Sequence, residues 1–137
     1  MVRPEVIRRR LDRLTEYLGY LKMIRSKEKE RFLEDPILFG SAERFLQTSI
    51  ESLSDIGAHV IAELDLGSVE SYADVPARLE AAGYLEHTQK ERWTRMIGFR
   101  NILVHDYLDV DREIVWDILW DHMADLEDLA RVFARFL

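Results

Sequence analysis

Apolar residues recur along most of this chain at spacings of three and four. Ile7, Leu11, Leu14, Leu18 and Leu21 make the first such stripe, which predicts an amphipathic helix from about Pro4 to about Leu33. A proline is tolerated in the first turn, where its missing N–H would have no partner anyway. Asp35-Pro36 reads as an N-cap followed by proline at the first helical position. From there Phe39, Ala42, Leu46, Ile50, Leu53, Ile56, Val60 and Leu64 continue a stripe to about Asp65, and Gly67 ends this second long helix. Asp74-Val75-Pro76 opens a short helix that stops at Gly83. Thr88, with Glu91 at the third position beyond it, has a capping-box pattern and is expected to start the next helix, which carries Trp93, Met96, Ile97, Ile102 and Leu103. Asp111 caps a last helix that runs through Ile114, Ile118, Leu119, Leu126, Leu129, Val132 and Phe133. No run alternates with period two. The expected fold class is therefore all-α: one domain over residues 1–137, an antiparallel bundle of four to five helices.

Two helices of about 30 residues are long against a mean of roughly 11 or 12. Such helices often present a second apolar strip to a partner. Phe32, Phe39, Phe45, Trp116 and Trp120 supply more aromatic surface than a lone bundle requires, so a homodimer is expected. The alternative is that each of the five is an ordinary core residue.

Composition narrows the function classes. With no cysteine among 137 residues there is neither a disulfide framework nor a thiolate metal site. The N-terminal segment Met1-Val2-Arg3-Pro4-Glu5 lacks the apolar stretch of a signal peptide. No apolar run approaches the roughly 18 residues of a membrane span, so a soluble cytoplasmic protein with no membrane partner is expected. The net charge of −7 is unusual for a protein that handles nucleic acid. It is unevenly spread, however: residues 1–31 hold ten Lys/Arg against five Asp/Glu. That segment reads either as a solvated helix face or as a stripe facing RNA or a partner.

Few residues can carry chemistry. His59, His87, His105 and His122 never pair with one another or with cysteine at metal-ligand spacing. His59, among apolar neighbours, is expected to be buried and hydrogen-bonded, and His87 and His122 to be structural. Asp106, Asp109 and Asp111 could attract a hard cation, but helix-ending and helix-capping roles explain them more simply, so no metal site and no cofactor are assigned. What is left is His105 and its surroundings. Arg100 stands five residues before it and Tyr107 two after it. With fifteen arginines and four histidines in the chain, Arg-x4-His is expected about 0.4 times by chance, and about 0.02 times with the tyrosine added. Asn101 and His105 share a helix face, whereas Arg100 and His105 lie about 140° apart on an ideal helix. To meet at one point, either the helix frays near His105 or two copies converge across a symmetric dimer.

An imidazole with an ordinary pKa of about 6.5 and a guanidinium fork suit RNA cleavage without a metal. The ribose 2′-OH attacks phosphorus, the 5′-oxygen leaves, a histidine moves a proton, and an arginine stabilises the growing negative charge. Asn101 can hold a phosphate oxygen or orient His105. The bland alternatives are a surface ion pair for Arg100 and a half-buried aromatic for Tyr107.

The stretch Gly98-Phe99-Arg100-Asn101-Ile102-Leu103-Val104-His105-Asp106-Tyr107, followed by Val110-Asp111, resembles the Arg-x4-His-x-Tyr signature of the HepT family in the HEPN superfamily. Residues 43–51, 55–63, 71–74 and 91–97 resemble other parts of the family in order and spacing, so the similarity spans nearly the whole chain. The resemblance implies a toxin of a toxin–antitoxin system, acting as a metal-independent RNA endonuclease. Its catalytic pair would be Arg100 and His105, with Asn101 supporting. It also implies a minimal nucleotidyltransferase antitoxin that silences the toxin by AMP transfer to Tyr107. A homodimer with facing motifs would follow as well, as would a larger assembly with the antitoxin. A different class of function would be a non-catalytic HEPN subunit that binds nucleotide or partner within a nucleotidyltransferase complex, which the net charge favours.

Overall fold

The structure, a computed structural model, describes residues 2–106 and 110–137. Among these, seven α-helices form and no strand: α1 (Pro4–Arg25), α2 (Lys29–Glu34), α3 (Pro36–Glu63), α4 (Asp74–Ala81), α5 (His87–His105), α6 (Arg112–Asp121) and α7 (Met123–Val132), closed by a 3₁₀ turn at Phe133–Phe136. The all-α bundle is as expected. Seven helices replace five because the expected first and last helices are each interrupted.

The first interruption falls at residues 26–28. Nothing apolar occurs between Arg25 and Arg31, so no packing holds a straight helix there. Ser26 instead donates its hydroxyl to the Met23 carbonyl at 2.5 Å, and Glu28 takes an extended backbone that opens α2. The bend turns Phe32 inward, where it is fully buried with its ring centroid 5.0 Å from that of Trp116. The second interruption is at His122, whose Nδ1 lies 3.0 Å from Asp125 Oδ2 and whose backbone leaves the helical region.

Asp35 caps α3 as expected, accepting the Ile37 N–H at 2.9 Å, and Asp111 caps α6 by accepting the Glu113 N–H at 2.9 Å. The cap of α5 lies two residues earlier than expected. Glu86, not Thr88, is the N-cap, in a reciprocal box with Gln89 whose Oε1 accepts the Glu86 N–H at 2.9 Å. Glutamate is seldom read as a cap, and Thr88 instead falls within the helix.

Helices α1 and α3 pair along most of their length, and α5 and α7 complete the bundle over α3. The shared core includes Leu14, Leu21, Leu46, Leu53, Trp93 and Leu126. Trp93 is its largest fully buried side chain. It donates Nε1–H to the Ser54 hydroxyl at 3.3 Å and meets Phe133 edge to face. Gly57 makes this possible. A Cβ there would overlap the Val75 side chain and sit 3.0 Å from the Trp93 ring, so its absence lets α4 and α5 close onto α3.

Of the five aromatics expected at a second apolar strip, Phe32 and Trp116 belong to the core instead. Phe45 is half-buried against Tyr17 and Tyr20, and Phe39 lies under the Arg112 guanidinium. Only Trp120 is largely exposed, with Arg25 over its ring. His59 also departs from expectation. It is half-buried, but its enclosed Nε2 finds no partner among the described residues. Among the described residues no helix is long and apolar enough to cross a membrane. Arg8, Arg9, Arg10 and Arg13 are exposed on α1.

Candidate active site

Trp93 and Ser54 fix α5 against α3, and two turns further along α5 stands Arg100. Its guanidinium is held on three sides. Glu51 Oε2 accepts from Nη2 at 2.5 Å and from Nε at 2.8 Å. Asn101 Oδ1 accepts from Nη1 at 3.1 Å. The Tyr72 ring flanks the guanidinium at 5.2 Å. Tyr72 is itself anchored, donating its hydroxyl to Asp55 Oδ1 at 3.0 Å. Burial, reinforced by that bond to a carboxylate, pushes the Tyr72 phenol above its ordinary value and keeps it protonated. Arg100 and Glu51 are each about a fifth exposed, at 21% and 23%, so the pair is shielded yet reachable.

A cleft of about 430 Å³ opens beside this cluster, between α5 and the segment leading into α4. Val69, Glu70, Ser71, Tyr72 and Ala73 form one wall, with Ile97, Arg100 and Asn101 opposite. The wall is tied down by Asp74, whose Oδ2 accepts the backbone N–H groups of Glu70 at 3.0 Å and Ser71 at 3.3 Å. Those two bonds favour the ionised carboxylate and lower the Asp74 pKa. Arg78 secures the same segment by donating Nε–H to the Ser68 carbonyl at 3.1 Å.

His105 is the last residue of α5 and is exposed. The helix does not fray before it: the Asp106 N–H still bonds the Ile102 carbonyl at 2.8 Å. Arg100 and Asn101 are therefore brought together, whereas the helical period sets His105 about 140° around the axis of an intact α5 from Arg100. Of the two ways for these groups to meet, fraying is ruled out within the chain. Tyr107 and Asp109 lie outside the described residues. Asp106 ends α5 and Asp111 caps α6, as their helix-breaking reading has it. Among the described residues no group of three His, Cys, Asp or Glu side chains is gathered to hold a metal ion. His87 bridges Glu80 at 3.1 Å and Glu91 at 2.9 Å on the surface.

Sequence reasoning missed Glu51, Asp55 and Tyr72. Each stands far from Arg100 along the chain, and only the packing of α3 and α4 against α5 assembles them.

The chain has relatives of known description. An mRNA nuclease HepT from Shewanella oneidensis is 29% identical over 102 residues, covering 74% of this chain and 77% of that protein. A tRNA nuclease HepT from Aphanizomenon flos-aquae is 30% identical over 112 residues, covering 80% and 75%. Among solved structures, a tri-AMPylated HEPN toxin of Shewanella oneidensis in complex with an MNT antitoxin aligns with a TM-score of 0.88 at 24% identity, over 95% of this chain and 97% of that one. That last likeness is one of fold. The profile of the family described as Ribonuclease HepT-like matches residues 7–133, and the chain belongs to that family.

Proposed function

We propose that this protein is a ribonuclease toxin that cleaves RNA by metal-independent transesterification, with Arg100 and His105 as its catalytic pair and Asn101 in support. The observation that carries the reading is the end of α5. A clamped guanidinium lines a cleft of about 430 Å³, and an exposed imidazole follows on the last turn of the same helix. In the reaction the 2′-oxygen forms a bond to phosphorus and the P–O5′ bond breaks, leaving a 2′,3′-cyclic phosphate. One proton leaves the 2′-OH and one is delivered to the 5′-oxygen, and His105 moves one of the two. Arg100 and Asn101 stabilise the phosphorane oxygens.

The 140° divergence within one chain favours a homodimer in which Arg100 of one copy and His105 of the other share a phosphate. Silencing would come from a nucleotidyltransferase antitoxin that transfers AMP to Tyr107, two residues beyond His105. The similarity to an AMPylated toxin bound to its antitoxin supports this. Adding a charged phosphodiester and an adenosine so near His105 would block the place where an RNA phosphate must sit. A second reading, a non-catalytic partner-binding subunit, is favoured by one feature: Glu51 already occupies one edge of Arg100.

Subunit complementation separates these readings. Arg100→Ala and His105→Ala homodimers should each fail to cut RNA in EDTA while keeping wild-type circular dichroism. In a mixed dimer one of the two shared sites retains both groups, and half of randomly exchanged dimers are mixed. Unfolding and refolding the two variants together should therefore restore about a quarter of wild-type cleavage. A site contained within one chain gives no recovery. An inert wild-type protein rejects the nuclease reading itself.

A further inference from the structure

The pairing of Arg100 with Glu51 costs a ribonuclease something, because a carboxylate beside the phosphate site repels the substrate. Three of the five guanidinium N–H groups are engaged, and two remain for a phosphate. The bonds to Glu51 use Nε and Nη2, and the one to Asn101 uses Nη1. One hydrogen remains on each of Nη1 and Nη2, and a guanidinium can offer such hydrogens to phosphate oxygens. Glu51 is supported in turn by Gln47, whose Nε2–H₂ donates to the same Oε2 at 3.4 Å. Asp55, one turn further along α3, holds the Tyr72 ring under the guanidinium carbon. Both carboxylates thus act on Arg100 from the most deeply packed helix of the bundle.

We infer that Glu51 is a positioning residue for Arg100: it fixes the direction of the guanidinium for the transition state, and it does so at the expense of part of the attraction between Arg100 and the bound phosphate. This rests on the catalytic role proposed for Arg100. Two consequences follow from the two halves of the function. Losing the orientation slows the chemical step, since a misplacement of about 1 Å in a reacting group can cost on the order of 100-fold. Losing the negative charge strengthens ground-state binding, since the arginine then attracts the phosphate without opposition. A lower kcat with a lower KM is the mark of an interaction that opposed substrate binding while serving the transition state.

The test compares wild type, E51Q and E51D on a fluorogenic mixed-sequence RNA oligonucleotide. Binding is measured separately with single-stranded DNA of the same sequence, which lacks the attacking hydroxyl. E51Q keeps an acceptor but no charge, and should show kcat reduced about 10-fold or more together with DNA bound several-fold more tightly. E51D keeps the charge but shortens the reach. Its kcat should fall while its DNA affinity stays at the wild-type value. A merely structural Glu51 would lower activity and binding together, in step with the folded fraction measured by circular dichroism, and that result overturns the inference. So does E51Q with wild-type kcat and wild-type affinity in an active background. A wild-type protein that cuts no RNA overturns the nuclease reading, and this inference with it.

Discussion

Gly57 sits in the middle of α3, where glycine ordinarily weakens a helix, and Gly57→Ala should nevertheless destabilise the protein. Relative to alanine, an interior helical glycine costs roughly 1 kcal/mol, so propensity alone favours the substitution. Against it stands the new methyl group. It would overlap Val75, approach the Trp93 ring to 3.0 Å and Leu79 to 3.3 Å, all three of these residues being fully buried. Overpacking of a tight core costs typically about 1–3 kcal/mol. The outright overlap with Val75 places the cost in the upper part of that range, so subtracting the propensity gain leaves a net loss of about 1–2 kcal/mol, small enough for a domain of ordinary stability to remain folded. Urea denaturation followed by circular dichroism measures it, with the slope of the transition unchanged. The cause is checked by a double-mutant cycle with Val75→Ala. That change is itself destabilising, but it opens room for the methyl group, so the two losses should add to less than their sum by roughly 0.5 kcal/mol or more. A Gly57→Ala protein as stable as wild type, or more stable, would refute the packing argument. Because Trp93 and Arg100 share α5, cleavage by Gly57→Ala should also fall further than its folded fraction does.

Asp35→Ala removes the side-chain acceptor for the Ile37 N–H and should cost about 1 kcal/mol in urea denaturation, with cleavage per folded molecule unchanged. His87 titrates above its ordinary 6.5, chiefly because Glu80 hydrogen-bonds it, with Glu91 adding to the effect. A raised folded-state pKa contributes stability that is complete below 6.5 and is lost as pH rises through the raised value. The melting temperature of wild type relative to His87→Gln should accordingly be higher near pH 6 than near about pH 8.5, and an NMR titration should find the His87 midpoint on the high side of 6.5.

Helix starts marked by aspartate were legible because the cap and the proline after Asp35 have few other meanings, and the same held for Asp111 before α6. The break at His122 was not legible, since the apolar period runs on across it, whereas the break at residues 26–28 did leave a signal, the lack of any apolar residue between Arg25 and Arg31. Leu119, Met123 and Leu126 keep their spacing of four and three through the interruption at His122. The motif around Arg100 was legible as a pattern of residue types, and the angle between Arg100 and His105 followed from the helical period alone. The partners of Arg100 were not, because a charged residue on a long amphipathic helix reads as solvated face. One signal was nevertheless present. Glu51 and Asp55 stand one turn apart on α3 with the same charge, an arrangement that destabilises a helix unless something offsets it. Here the offset comes from elsewhere in the chain: Arg100 pairs with the first, and the Tyr72 hydroxyl bonds the second. Like charges at that spacing on an otherwise core-facing helix point to a shielded donor, a cation or a hydroxyl, before any coordinates are known. In this chain the first of them points to the guanidinium on which the proposed chemistry depends, and the second to the tyrosine ring beside it.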